Sequence, residues 1–202
     1  MTIEDKIRKA LMKHGMGSTL VPIRCPSCNF LASTPEEEEQ LFRKKAQCPH
    51  CGVKDKIAQI TLDNYILVCD WIGQFATSSN HRDQVSATIM FCVLFESILE
   101  TLKRDYISIH PEIDSRIKDT EKTFKIKDVF GKTLIQLLDS APLDIKQFPD
   151  EWETIRIKRN NFMHGHSGYL YLNQKDAQDV MDLTPKAIAL FIWMNNKYCL
   201  RS

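Results

Sequence analysis

The stretch DQVSATIMFCVLFESILETLKRDY, Asp83 to Tyr106, decides the fold. Val85, Ile89, Cys92, Leu99 and Leu102 recur at helical spacing, and the middle of the stretch is apolar on every side. A helix with no polar face belongs inside a bundle, so other helices must surround it. The pattern predicts them at Tyr65 to Phe75, Ser115 to Thr123, Lys127 to Ser140, Asp150 to about Phe162, and Lys175 to Cys199. Pro185 is expected to kink or break the last one after Leu183, because its ring removes a donor and clashes with the preceding turn. Strand-like content in this part is confined to Gly168 to Leu172. Residues 63–202 therefore read as an all-α bundle, and the fold class as mainly α, with a smaller module over residues 19–62 and an N-terminal helix over residues 1–18. In that first helix Ile3, Ile7, Ala10 and Leu11 share a face and Gly15 suits its end. Within the module, Leu20 to Arg24 and Val53 to Leu62 read as short strands, and Thr34-Pro35 before Glu36 to Glu39 as a helix start.

Composition excludes several classes. The chain has 202 residues, 27 basic against 26 acidic, and is 43% hydrophobic. Low net charge with that apolar content belongs to a packed chain, not a disordered one. The longest apolar runs, around Met90 to Phe95 and Ala187 to Met194, fall far short of the roughly 20 residues that cross a bilayer. Thr2 to Gly15 carries charges where a secretory signal needs an apolar region. The expectation is a protein of the cytoplasm with no membrane partner.

Cys25, Cys28, Cys48 and Cys51 form C-x2-C-x19-C-x2-C, the spacing of a four-thiolate zinc ribbon. Two intervening residues let both sulfurs of a knuckle face one ion, and two knuckles complete a tetrahedron. Two disulfides would be reduced in a cytosol, and redox-active pairs would need a βαβ setting that the sequence lacks. Four thiolates close the coordination sphere, so the zinc is expected to be structural and not catalytic. His50 sits inside the second knuckle, where the complete cysteine set leaves it no ligand role. Cys69, Cys92 and Cys199 fall on predicted helices and read as small buried hydrophobes.

The most informative part of the bundle is Arg156-Ile-Lys158-Arg159-Asn160-Asn161-Phe162-Met163-His164-Gly165-His166. No acidic residue lies between Glu153 and Asp176, so Arg156, Lys158 and Arg159 are expected to make a local positive field that attracts phosphate. On a continuous helix five residues turn by ~500°, leaving Arg159 and His164 about 140° apart. Gly165 and Gly168 instead predict a helix end near Met163 or His164, which frees the histidine to approach Arg159. A helix C-terminus favours the imidazolium, and His164 is then suited to acid/base work near neutral pH. Taken singly, the same residues also read as a surface charge, an ion pair of Arg159 with Glu153 or Glu96, and a capping histidine.

Arg159-Asn160-x-x-x-His164 near a helix end in an all-α bundle resembles the HEPN (higher eukaryotes and prokaryotes nucleotide-binding) superfamily, and Glu96 on the long internal helix is a second likeness. The resemblance covers roughly Asp63 to Ser202 and leaves the cysteine module outside. It implies a homodimer whose two motifs share one cleft and cut RNA without a catalytic metal. His164 would then transfer the proton, Arg159 stabilise phosphate charge with its planar fork, Asn160 bind phosphate or hold Arg159, and Glu96 orient Arg159. Arg156, Lys158 and His166 are the expected RNA contacts. A toxin or defence effector with a neutralising or regulatory partner protein is a role common in that family. The competing expectations are a non-catalytic RNA- or nucleotide-binding module, and a zinc-ribbon adaptor with the bundle as scaffold.

Overall fold

In the computed structural model the described residues are 23–32, 36–37, 40, 47–54, 59–60, 63–111, 137–165 and 172–201. The expected helices at residues 1–18 and Ser115 to Thr123, most of Lys127 to Ser140, the strand-like segment before Leu172, and His166 lie outside them.

Among the described residues the bundle has four long helices: α1 (Asp63–Ala76), α2 (His81–Ile109), α3 (Leu143–Met163) and α4 (Gln174–Tyr198). The mainly-α reading holds. The stretch that decided the fold is α2, and it packs against the other three. It starts where the Asn80 side chain accepts the Arg82 N–H at 2.9 Å, with Asp83 in the first turn complementing the dipole. Phe91, Phe95, Ile98 and Leu102 on α2 are fully buried. Phe95 meets Phe148 and Trp152 of α3 edge-on at 4.7 and 4.8 Å, the geometry that aromatic quadrupoles prefer. By length and composition α2 is also apolar enough to cross a bilayer, contrary to the expectation from uninterrupted runs. Its buried positions against three helices give the apolar content a use within the core.

Both prolines differ from expectation in an instructive way. α3 begins seven residues before the predicted start and carries Pro149 inside it. Pro149 costs about 3 kcal/mol in a helix interior. Extending the helix seats Ile145 and Phe148, both fully buried, at about 1.5–3 kcal/mol each, which is enough to offset it. α4 likewise runs unbroken through Pro185, between the buried Leu183, Thr184, Ala187 and Ile188. Its N-terminus is a full capping box: Asn173 accepts from the Asp176 N–H while the Asp176 carboxylate accepts from the Asn173 N–H.

Ahead of the bundle, β1 (Ile23–Arg24) pairs antiparallel with β2 (Gln59–Ile60), and Glu36, Glu37 and Gln40 are helical. The two Cys-x-x-Cys knuckles have the same construction. In each, a residue in the left-handed region follows the second cysteine: Asn29 at φ 64° and Gly52 at φ 70°. In each, isolated bridges flank the turn at matching positions, Arg24 with Leu31 and Gln47 with Lys54. The left-handed residue reverses the chain, so that the Asn29 and Gly52 N–H groups reach the carbonyls of Cys25 and Cys48 at 3.0 and 2.9 Å.

Candidate functional site

The four knuckle sulfurs converge. All lie within 4.8 Å of one another; Cys25 Sγ and Cys51 Sγ are 3.9 Å apart, Cys28 Sγ and Cys48 Sγ 3.7 Å. A disulfide needs about 2.05 Å, and all seven cysteines are free thiols. Tetrahedral coordination at a metal–sulfur distance of about 2.3 Å puts neighbouring sulfurs about 3.8 Å apart, close to the separations of the Cys25–Cys51 and Cys28–Cys48 pairs. The set is compatible with a structural metal site. Burial pushes the Cys28 and Cys48 thiols up. At Cys25 burial acts the same way, but the backbone N–H groups of Cys28 and Ser27 overcome it and the thiol falls below its ordinary value. Four thiolates brought together, three of them buried, need a cation, and a divalent ion that binds them must displace protons to do so.

The module is built into the bundle through residues that sequence reasoning missed. Leu31, directly after the first knuckle, is fully buried and belongs to the same apolar core as α1 to α4. The Asn196 side chain on α4 imitates a strand partner for it, accepting the Leu31 N–H at 2.9 Å and donating to the Leu31 carbonyl at 2.8 Å. Asn195 donates to the Asn29 carbonyl at 2.9 Å, and the Arg201 N–H reaches the Cys28 carbonyl at 2.9 Å. Arg24, ahead of the first cysteine, pairs with Asp105 of α2 at 2.9 Å in a site where both side chains are nearly buried. One signal for this junction was present in the sequence: two adjacent asparagines closing the apolar run of α4. Nothing local marked Arg24 and Asp105, which are far apart in the chain.

At the other end of the bundle, α3 stops where the glycine pattern places its end. His164 is the C-cap, with its N–H on the Asn160 carbonyl at 3.0 Å, and Gly165 follows at φ 60°. The His164 side chain is exposed and Asn160 is half-buried. Arg159 reaches across to α2 and forms an ion pair with Glu96. The arginine is 21% exposed and the glutamate 47%. Arg159 Nε is buried without a hydrogen-bond partner among the described residues. Beneath it, burial pushes the Cys92 thiol up to about 11 against the pull of the Arg159 charge.

The expected positive field is met by carboxylates at every cation. Arg156 donates through Nε and Nη2 to both oxygens of Glu153, one turn earlier. Lys158 pairs with the buried Asp176 of the α4 capping box. Arg159 has Glu96. Burial first, and then the neighbouring Arg159 charge, lower Arg156 from its usual range, so the two guanidiniums sit within each other's field. The gap in acidic residues along the chain did not reveal this, because two of the three partners come from other helices. On the same stretch of α3 Ile157, Phe162 and Met163 are exposed, on different sides of the helix, which sequence reasoning did not single out. The structure thus brings Arg159 to Glu96 and sets His164 at the helix terminus, while Arg156 and Lys158 are held by other carboxylates. Comparison with protein-family models, with curated proteins and with solved structures found no match. What the chain can be identified as is a helical protein with a four-cysteine cluster close enough to bind a metal.

Proposed function

We propose that this protein is a metal-independent endoribonuclease of the HEPN type, with structural zinc in its four-cysteine module and Arg159 and His164 acting on RNA at a site shared by two copies. The observation that carries the reading is the Glu96–Arg159 ion pair set at the same end of α3 as the exposed C-cap His164. RNA supplies its own nucleophile in the 2′-hydroxyl, so the protein needs a group to move the proton and a cation for the phosphorane. A half-exposed ion pair is worth about 0–1 kcal/mol, so an RNA phosphate can displace Glu96 from Arg159 at small cost. Exposed Phe162 and Met163, next to His164, offer apolar contacts for a second copy beside the motif. Four thiolates leave no open position on the zinc, which therefore holds the fold. In this reading the protein works in the cytoplasm as a toxin or defence effector under a neutralising partner protein.

One observation favours a second reading. Glu153 and Asp176 neutralise Arg156 and Lys158, and the cysteine module is fused to the bundle, as suits a non-catalytic nucleotide- or RNA-binding module or an adaptor. Cleavage of mixed RNA during brief exposure to EDTA separates the two. The nuclease reading expects 2′,3′-cyclic phosphate and 5′-hydroxyl ends, with Arg159→Ala and His164→Ala each slowing cleavage by about 100-fold, on the scale of electrostatic and acid/base terms. Wild-type cleavage by His164→Ala, or 5′-phosphate ends, would replace it with the binding-module reading.

A further inference from the structure

We propose that Cys51 is the site at which a peroxide attacks the cysteine cluster, forming a Cys25–Cys51 disulfide and expelling the metal. The inference rests on the zinc reading above and adds a modification site to it. The four cysteines are not equivalent. Cys25, Cys28 and Cys48 are each 3% exposed or less, whereas Cys51 is exposed; it opens on a cavity of about 570 Å³ lined also by Gln40, Gln47, Cys48, Pro49, His50 and Gly52, and of its two cysteines Cys51 is the accessible one. A small polar oxidant that must reach sulfur in line can do so at Cys51, whereas the near-complete burial of the other three leaves little of their sulfur open to it. Oxidation of cysteine follows thiolate character and access together, and Cys51 combines both once a metal holds it as thiolate.

The chemistry closes without further reagents. Cys51 thiolate displaces hydroxide from hydrogen peroxide to give a sulfenic acid. Cys25 thiolate then attacks the Cys51 sulfur and displaces a second hydroxide. Two thiolates have been oxidised, one peroxide reduced, and the hydroxides take protons from solvent. Cys25 is the resolving partner because its Sγ already stands 3.9 Å from that of Cys51. Closing to about 2.05 Å requires one knuckle to move, and the two knuckles differ in their freedom to do so. The first is tied to the bundle through Cys28, Asn29 and Leu31. Among the described residues, 47–54 make no hydrogen bond or ion pair to the bundle helices. The second knuckle therefore moves, and the new disulfide ties it to the first in the metal's place. Cys69, Cys92 and Cys199 do not compete: each is fully buried, with its thiol pushed up by burial to about 12, 11 and 12 respectively.

The test uses the full wild-type chain loaded with zinc, whose content is measured first. Hydrogen peroxide is then added below one equivalent while a chromogenic chelator reports released zinc and non-reducing peptide mapping reports cysteine linkage. The expected result is one zinc released per Cys25–Cys51 disulfide, with Cys51 consumed on the order of tenfold faster than Cys28 or Cys48 because access controls the first step. Dithiothreitol with zinc restores the starting state. A first linkage between Cys28 and Cys48, or zinc release ahead of any Cys51 modification, overturns this inference and leaves the zinc reading intact. A starting zinc content below half an equivalent per chain sinks the zinc reading, and this inference with it.

Discussion

The first knuckle and the C-terminal end of α3 both attach polar groups to the helical bundle, by opposite means. At the knuckle the partners are buried and mostly neutral: amide on backbone at Asn195 and Asn196, with Arg24 and Asp105 as a charged pair beside them. At the end of α3 the partners are charged and partly in water, with Arg159 21% and Glu96 47% exposed. A buried donor stripped of its acceptor costs about 1–3 kcal/mol, whereas breaking a partly exposed ion pair costs about 1 kcal/mol or less. The first region is consequently built to stay closed, and the second can exchange a carboxylate for another anion.

The largest effect expected from this contrast comes from stripping the proposed metal from the four-cysteine cluster. Loss of the four-thiolate centre releases both knuckles, and Leu31 then leaves the core it shares with α1 to α4. The bundle itself should lose about 2–5 kcal/mol, the cost of vacating a buried leucine site. Calorimetry on Cys48→Ser, or on protein stripped by a chelator, should show the main helical transition shifted downward. A bundle melting unchanged would mean that the module is an independent appendage.

Asp105→Ala should come next, at about 3 kcal/mol, because it leaves the Arg24 guanidinium buried without its counter-charge. Urea unfolding measures it. A variant with Arg24 and Asp105 both replaced by apolar residues should recover most of the loss, and failure to recover would place the cost elsewhere than in the unpaired charge.

Smallest is Glu96→Gln, predicted to change stability by less than about 1 kcal/mol, since the pair it breaks is half-exposed. Its value lies in what it frees. With Arg159 released, phosphate should raise the melting temperature more in the variant than in the wild type, as ligands that bind the native state do. Equal phosphate stabilisation in both proteins would show that Glu96 does not guard Arg159.

Much of the molecule was legible in the sequence wherever the determinant was local. Apolar period along Asp83 to Tyr106 defines α2, glycine at 165 ends α3, and the doubled Cys-x-x-Cys spacing brings four sulfurs together, because each depends on residues within a turn or a knuckle of one another. Local rules failed at Pro149 and Pro185, where burial of Ile145, Phe148, Ala187 and Ile188 outweighs the penalty of a proline inside a helix. What only tertiary structure decided is which charges meet. Arg24 finds Asp105 and Lys158 finds Asp176 across 81 and 18 positions of chain, and Arg159, for which the sequence left Glu153 and Glu96 open, takes Glu96 across 63. Coulomb attraction acts through space, and space between those residues exists only once the apolar faces of the helices have packed.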